Sequence, residues 1–269
     1  TSSFAFTGNK FEFRAVGSIA NCANPMTVLN TIVAKQLKDF KAEVDALIEE
    51  KDLKKDEAIF NILREYIKSS RNILFEGNGY SEAWEKEAKK RGLSNNKTTP
   101  EALKAKISKK AIELFEEMNV MSKVETESRY EIEIEEYTLR IQIESRVLGD
   151  IAGNHIVPTA VRYQNMLIEN VKGLKEIFGK DFEEHAKEQI KLIKGISEHI
   201  EAIHFKVEEM INAGKKANNL KDAVKKAEMY CSEVKPFFEE IRYHCDKLEL
   251  MVDDEIWPLT KYRELLFTR

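Results

Sequence analysis

The chain has 269 residues, of which 33% are charged, a net charge of -4 at pH 7, and only 11 glycines and 5 prolines. This length allows a substantial core in one large domain or two smaller ones, and the composition is typical of helix-rich proteins. Charges of both signs are interspersed, no apolar run reaches the roughly 20 residues that span a bilayer, and no signal peptide is visible. We therefore expect a cytoplasmic protein with neither nucleic acid nor a membrane as its partner.

The cysteines support the same expectation. Cys22, Cys231 and Cys245 are an odd number, widely spaced and without a Cys-x-x-Cys motif. We expect reduced thiols with a buried apolar role rather than a reactive one.

The first 16 residues predict two short strands. The segment Thr7–Asn9, Thr-Gly-Asn, is a tight-turn signal of the kind that joins paired strands. After the turn the residues alternate in character, which is typical of a strand with one buried face. Phe11 and Phe13 share one side, and we expect them to anchor the strand on a core.

The other side of this strand carries a cation, an anion and a cation, namely Lys10, Glu12 and Arg14. At roughly 3.3 Å per residue, the row is about 13 Å long. A carboxylate between two bases suits a site in which the carboxylate holds a divalent metal and the bases meet phosphate oxygens. The alternative is a solvent-facing ladder of ion pairs, which contributes little to stability. From the spacing alone, the surface ladder is the more frequent arrangement.

Several helices are predicted next. Asn24 is suited to be an N-cap and Pro25 a first helical residue, and the apolar spacing that follows predicts a helix from 25 to about 50. A second helix is predicted near 54–72, and a third is capped by Ser81 and runs to about 91. The stretch Ser94–Thr98 is the most loop-like of the chain, so we place the boundary between two domains there, 1–93 and 94–269.

Beyond this boundary, another helix starts at Thr99-Pro100 and continues to about Glu117 with an interruption near Ser108. Ser122 and Glu125 then form a capping-box signature for the longest segment. Residues 130–145 of that segment fit both a strand alternation and a helical stripe, and their length and many charged residues favour a helix.

The remaining segments also predict long helices. Pro158 should kink or break the longest one. Two more are predicted at roughly 181–213 and 220–254, with a bend at Pro236, and Trp257–Arg269 is a tail whose apolar groups should be docked. The predicted fold class is mainly α, a bundle of long helices with a short N-terminal β-hairpin.

Other polar clusters carry no specific signal. Glu201 and His204 have the Glu-x-x-His spacing of di-iron bundles, but such sites need a second copy and two further carboxylates, and no second copy exists. Asp150 and His155 fit a polar cluster at a helix end or a packing role. By itself, the helical part indicates interaction or assembly rather than chemistry.

Two further motifs carry a resemblance. The strand Phe11–Arg14 reads Phe-Glu-Phe-Arg and is followed by Ala-Asn-Cys-Ala-Asn-Pro at Ala20–Pro25; this order resembles the glutamine synthetase family. The first strands, FAFTGNKFEFR at Phe4–Arg14, and the ending WPLTKYRELLF at Trp257–Phe267, are similar to the type III branch of that family. Two matches at opposite ends of the chain are more specific than either alone.

The resemblance implies a parent enzyme that ligates ammonia to glutamate through a γ-glutamyl phosphate made from ATP, with Mg²⁺ or Mn²⁺. It implies that Glu12 is a metal ligand, that Arg14 is a catalytic residue facing glutamate and the transferred phosphoryl group, and that Lys10 lies toward the nucleotide. Lys10 stands where the family carries an arginine, and it cannot make a forked contact. The Pro-Asp that follows the arginine in some branches is absent, which leaves the next loop undefined.

The resemblance also implies an architecture. Residues 1–93 would be the C-terminal end of the catalytic domain, with the hairpin at the edge of its barrel, and 94–269 a type III-specific helical domain for assembly. The parent would be a homo-oligomer, a dodecamer of two hexameric rings, and this chain alone would be inactive. The alternative is a non-catalytic helical scaffold whose first strands are incidental.

Overall fold

The computed structural model describes residues 4–6, 8, 10–13, 21–74, 77–79 and 81–267. The chain divides into two compact units, Thr1–Tyr130 and Glu131–Arg269. In both units the described residues are mainly helical, which confirms the predicted class. Within the described ranges, no helix combines the length and the apolar character needed to cross a membrane.

The first unit begins with a two-stranded antiparallel ribbon. Strand β1, Phe4–Phe6, pairs with β2, Phe11–Phe13, and Ala5 lies opposite Glu12 in the register. Gly8, in the connection, has a φ of +98°, a conformation that glycine adopts without strain. The other residues of the predicted turn, Thr7 and Asn9, lie outside the described residues.

Five helices follow within the described part of the first unit. Their bounds are α1 Ala23–Lys51, α2 Lys55–Ser69 with a 3₁₀ turn at Ser70–Ile73, α3 Glu82–Lys90, α4 Thr99–Lys104 with a 3₁₀ turn at Ala105–Ile107, and α5 Lys109–Glu117. The helices α1 and α2 pack together, and Val44 and Ala58 are buried. Phe40 and Tyr66 meet edge to face at 5.9 Å between ring centroids, and the Tyr66 hydroxyl donates to Glu43 Oε1 at 2.9 Å.

The helix starts show which capping predictions were right. Ser81 Oγ accepts from the Trp84 backbone N–H at 3.2 Å, as predicted. Ser108 Oγ accepts from the Ala111 N–H at 3.3 Å, which restarts the helix at the predicted interruption. The prediction of Asn24 as the N-cap of α1 was wrong, because α1 already begins at Ala23, whose N–H donates to Asn21 Oδ1 at 2.8 Å.

Helix α6, Lys123–Asp150, begins in the first unit and continues into the second. Its capping box is present, since the Ser122 N–H donates to Glu125 Oε2 at 2.8 Å and the Glu125 N–H donates to Ser122 Oγ at 3.3 Å. The ambiguous residues 130–145 are helical throughout, as predicted.

Helix α7, Val157–Phe178, continues from α6 without a break. A π-helical turn, Ile151–Ile156, joins them, and the Val157 N–H bonds to the Ala152 carbonyl five residues back. Proline lacks an N–H and its ring collides with the carbonyl four residues earlier, so a wider turn before Pro158 removes both conflicts. Of the two outcomes predicted at Pro158, a kink or a break, the break does not occur.

The second proline is accommodated in the same way. A π-helical turn, Tyr230–Val234, joins α10, Ala223–Met229, to α11, Pro236–Met251, and the Lys235 N–H donates to the Tyr230 carbonyl at 2.9 Å. The remaining elements are a 3₁₀ turn at Gly179–Asp181, α8 Phe182–His185, α9 Lys187–Asn218 and α12 Tyr262–Leu265.

The predicted end of a helix near residue 213 was wrong, because α9 extends to Asn218. The interruption falls at Asn219–Asp222, where the Asp222 side chain accepts from the Lys225 N–H at 2.8 Å and starts the next helix.

The core of the second unit lies among α6, α7, α9 and α11. Its most buried side chains, each at most 2% exposed, include Ile196, Ile203, Met210, Tyr230, Val234, Ile241 and Leu248. The first part of the tail is docked, since Ile256 and Trp257 pack on this core. Lys261 donates to the Glu249 carbonyl at 3.2 Å and pairs with Asp254. The end of the tail is different, because Phe267 is 82% exposed.

Candidate functional site

The ribbon at the start of the chain holds the residues that the sequence singled out. Glu12 is the central residue of β2, and Lys10 lies one residue before this strand and is exposed. Arg14 lies outside the described residues. The backbone thus places Glu12 within the strand and Lys10 immediately before it, and their predicted roles stay predictions.

One carboxylate is not a metal site. Magnesium binds oxygen ligands in nearly ideal octahedral geometry. Several of these ligands are usually water or phosphate oxygens, and the protein supplies one or two carboxylates. Within the part of the chain that the structure describes, no group of three or more His, Cys, Asp or Glu side chains is placed to hold a metal ion.

The second unit contains a histidine pair that the sequence did not reveal. His199 of α9 and His244 of α11 approach to 2.9 Å between their Nδ1 atoms. One ring must donate and the other accept, so this hydrogen bond requires at least one neutral imidazole. Burial, followed by the nearby His244, lowers the pKa of His199, while Glu198 opposes and Lys247 reinforces this shift.

The surroundings of the pair indicate packing rather than catalysis. The Tyr243 ring lies edge-on to both imidazoles, with centroid distances of 6.5 Å to His199 and 5.1 Å to His244. Lys247 Nζ lies 5.4 Å from the centroid of the Tyr243 ring. General acid–base catalysis needs a cleft in which a substrate atom can reach the titrating group. The residues that line the large groove of this unit do not include either histidine.

A second buried polar contact joins α6 to the π-helical turn. The Tyr137 hydroxyl is buried and has no hydrogen-bond partner of normal geometry among the described residues. Burial raises its pKa, and the neighbouring Cys231 thiol adds to the effect. The hydroxyl therefore stays protonated at neutral pH.

The clusters that the sequence suggested lie at the surface. Glu201 and His204 are both exposed on α9. His155 Nε2 lies 3.9 Å from Asp150 Oδ2, and both side chains are more than half exposed, at 54% and 60%. The Asp150 carboxylate also accepts from Asn154 Nδ2 at 2.5 Å. These contacts fit a solvated helix surface.

Two grooves lie within the separate units. One, of about 1110 Å³, runs between α7 and α9 and is lined by Tyr163, Leu167 and Lys187 among others. The other, of about 720 Å³, lies between α1 and α5, where Lys35 Nζ reaches Asp39 Oδ1 at 2.5 Å and Glu117 Oε1 at 3.2 Å. Among the described residues, neither groove has a residue of the ribbon in its lining, and in the second groove Lys35 pairs with both Asp39 and Glu117.

Comparison with known proteins assigns the chain to a family. Residues 58–175 match the model of the glutamine synthetase C-terminal domain. The chain is 51% identical over 270 residues to the glutamine synthetase of Bacteroides fragilis strain YCH46, a match that covers 100% of this chain and 37% of that protein. The chain belongs to the glutamine synthetase family.

Two further family members show the same pattern of coverage. The type-3 glutamine synthetase of Dictyostelium discoideum is 37% identical over 274 residues, across 100% of this chain and 36% of that protein. The glutamine synthetase of Butyrivibrio fibrisolvens is 29% identical over 269 residues, across 100% of this chain and 37% of that protein. The chain thus spans a little over a third of the length of the glutamine synthetases that it matches, and the ribbon is included in these matches.

Proposed function

We propose that this chain is the C-terminal part of a type III glutamine synthetase, whose parent enzyme ligates ammonia to glutamate through a γ-glutamyl phosphate made from ATP. The observation that carries the proposal is the 51% identity to a glutamine synthetase along the whole of this chain. Among its relatives is one that bears the type-3 name.

In the parent enzyme, Glu12 binds the divalent metal, Mg²⁺ or Mn²⁺. Arg14 faces glutamate and the transferred phosphoryl group, and Lys10 lies toward the nucleotide. Phosphoryl transfer depends mainly on positioning and on neutralising the charge of the oxygens, so one anion for the metal and two cations for the oxygens suit this reaction. The position of Glu12 within β2, with Lys10 immediately before the strand, supports this assignment.

This chain alone is inactive, because the other metal ligands and most of the nucleotide pocket belong to the remaining polypeptide. An isolated two-stranded ribbon is at best marginally stable, which supports its completion by further strands of a catalytic barrel. Exposed apolar side chains on α1 and α2 also fit contact with further polypeptide, since Leu37, Phe60 and Ile67 are 62%, 64% and 67% exposed.

The same proposal assigns a role in the parent enzyme to each part of this chain. Residues 1–93 close the catalytic domain, with the ribbon at the edge of its barrel, and 94–269 form a helical domain for assembly. The parent is a cytoplasmic homo-oligomer, a dodecamer of two hexameric rings. The helices α6 to α11, which present packing residues rather than a catalytic cluster among the described residues, support a role in assembly.

The metal role is tested in the parent enzyme with Glu12→Gln. We expect this variant to lose about 100-fold or more of its turnover, because a ligand to the ion that neutralises the transition state is gone. The oligomer should remain intact by sedimentation, and binding of Mn²⁺ should weaken. The matched control is Glu50→Gln, which changes an exposed glutamate at the end of α1 and should leave turnover unchanged. Turnover retained in Glu12→Gln would refute the metal role.

A further inference from the structure

A small pocket lies between α6 and α9 in the second unit, with a volume of about 220 Å³. Its polar lining residues are Gln142, Ser145 and Arg146 of α6, Lys215 and Asn218 of α9, and Tyr230 of the π-helical turn. The lining thus includes two cations, and among the described residues it includes no aspartate or glutamate. The chain as a whole has more acidic than basic residues, 47 against 43, so this lining differs from the average surface.

Contacts between the two helices fix the pocket on both sides. On one side, Gln142 Nε2 donates to Asn218 Oδ1 at 2.8 Å. On the other side, the helices approach closely, and a Cβ at Gly149 would lie 3.7 Å from Met210 Cε. These two contacts are about 10 Å apart along α6, and they show that α6 and α9 run antiparallel here. The two cations therefore enter one space from opposite walls.

Neither of these cations has an acidic partner. Within the part of the chain that the structure describes, Arg146 and Lys215 form no ion pair. Asp150 lies one turn beyond Arg146 on α6, but its carboxylate accepts from Asn154 Nδ2 at 2.5 Å. On α9, no acidic residue lies within four positions of Lys215. Two positive charges thus remain uncompensated on the walls of one pocket, which favours an anion there.

An amide donor accompanies the two charges. Asn218 Oδ1 accepts from Gln142 Nε2 and from the Tyr230 hydroxyl, the latter at 2.9 Å. The remaining polar group of this side chain is its NH₂, for which no acceptor is found within the described ranges. Tyr230 is 2% exposed, so a side chain of the core orients the amide. An arginine, a lysine and an amide therefore offer donors to the oxygens of one ligand.

We infer that this pocket binds a phosphate group, either free phosphate or the phosphate of a small monoester. A phosphate carries about −1.5 to −2 charges at pH 7, which two cations neutralise better than they match the single charge of a carboxylate. The Arg146 guanidinium supplies a planar fork for two oxygens, and the Lys215 ammonium supplies a point charge for another. The Asn218 NH₂ donates to the remaining oxygen.

The size and the apolar part of the pocket limit the ligand. Its volume of about 220 Å³ lies below the roughly 300–1,000 Å³ of pockets for drug-sized molecules, so the ligand is small. Met210, which is 1% exposed, and Ile211 add an apolar wall. Beside such a wall the effective dielectric constant is lower than in open water, which strengthens the attraction between the cations and the phosphate.

Phosphate binding at this pocket goes beyond the ligase reaction proposed above. Its measurement needs no turnover, and the pocket is contained in the second unit. Activity of the parent enzyme tests the proposed reaction separately, so the two proposals can fail independently.

Binding is measured by isothermal titration calorimetry of the chain at about pH 7.5 and about 50 mM salt, where exposed charges are only partly screened. The two probes are inorganic phosphate and glycerol 3-phosphate, and potassium chloride at equal ionic strength gives the baseline. We expect one site per chain with a dissociation constant of about 1 mM or lower. A monoester that binds at least about tenfold more tightly than inorganic phosphate identifies an organic phosphate as the ligand, and otherwise the ligand is free phosphate.

Two substitutions test the residues of the pocket. Lys215→Gln and Arg146→Gln should each weaken binding by about tenfold to 100-fold, because each removes a charge-assisted contact. The control is Lys216→Gln, which removes the same charge from the next residue of α9, an exposed lysine outside the lining. It should change the affinity by less than about twofold. All three positions are exposed, so the variants should fold, and circular dichroism checks this.

Three results would overturn the inference. The first is a chain that binds neither probe above the chloride baseline. The second is binding that Lys215→Gln and Arg146→Gln leave unchanged. The third is an equal loss of affinity in Lys216→Gln, which would show a general attraction of phosphate to the surface of α9.

Discussion

The polar cluster at the end of α9 allows a quantitative test of the second unit. The Tyr230 hydroxyl, on a side chain that is 2% exposed, donates to Asn218 Oδ1 at 2.9 Å and lies 3.4 Å from the Gly214 carbonyl. The same Asn218 oxygen accepts from Gln142 Nε2 of α6 at 2.8 Å. One amide oxygen thus links α6, α9 and the π-helical turn before Pro236.

Two substitutions separate the contributions of the Tyr230 hydroxyl and the Asn218 side chain to stability. Tyr230→Phe removes one hydrogen bond, but Asn218 Oδ1 keeps its bond from Gln142, so no acceptor is left unpaired; we expect a loss of about 1 kcal/mol in the free energy of unfolding. Asn218→Ala leaves the buried hydroxyl with only the long contact to Gly214, and we expect a loss of about 1–3 kcal/mol. The double variant has no Tyr230 hydroxyl that could be left without a partner. Its loss in the free energy of unfolding should therefore not exceed that of Asn218→Ala.

The assay uses the intrinsic fluorescence of the second unit. The chain has two tryptophans, and Trp257 packs on the core of the second unit while Trp84 lies in the first. In a Trp84→Phe background, urea unfolding followed by Trp257 emission reports on the second unit. Tyr243→Phe, at a 54% exposed position, is the control and should stay within about 0.5 kcal/mol.

Additive losses in the free energy of unfolding would contradict an interaction between Tyr230 and Asn218. If the losses from Tyr230→Phe and Asn218→Ala simply add in the double variant, the two side chains do not interact and the hydrogen bond does not contribute. A loss well above 3 kcal/mol for Tyr230→Phe would also refute it, because it would mean that the ring had lost its packing.

Two further predictions follow from shifted pKa values. The pKa of His199 is lowered in the folded state, so below the ordinary pKa of 6.5 the unfolded chain binds more protons, and the free energy of unfolding should fall as the pH drops below about 6.5. In urea unfolding followed by Trp257 emission, His199→Gln should flatten this pH dependence. An unchanged slope would contradict the role of the pair with His244. Burial raises the pKa of Cys245 to about 12. At pH 8 a thiol reagent should therefore label the exposed Cys22 quickly and the buried Cys245 only when the protein unfolds. Equal labelling rates for the two thiols would show that Cys245 is accessible in the folded state.

Local signals in the sequence were sufficient for most helix starts. Ser81 and the Ser122–Glu125 pair cap helices where predicted, because a cap depends on side-chain and backbone groups within three residues of each other. Ser108 caps a helix at the predicted interruption. The errors occurred where a competing local group was overlooked. The Asn21 side chain accepts from the Ala23 N–H at the start of α1, and the Asp222 side chain starts a helix at 223, three residues later than predicted.

The prolines show a limit of local reasoning. Proline chemistry predicts a conflict at Pro158 and Pro236, and that conflict exists. How it is resolved depends on the packing on either side, which holds α7 and α11 against α9 and favours a wider turn over a break.

The sequence by itself determined the helical class, most of the caps and the motifs of the glutamine synthetase family, because each of these depends on residues close together in the chain. Only the tertiary structure decided which apolar face of α6 is buried: alternating isoleucines supply two faces, and only the neighbouring helices select the one that carries Ile141. The His199–His244 contact is of the same kind, since two residues 45 positions apart meet only when α9 and α11 pack together.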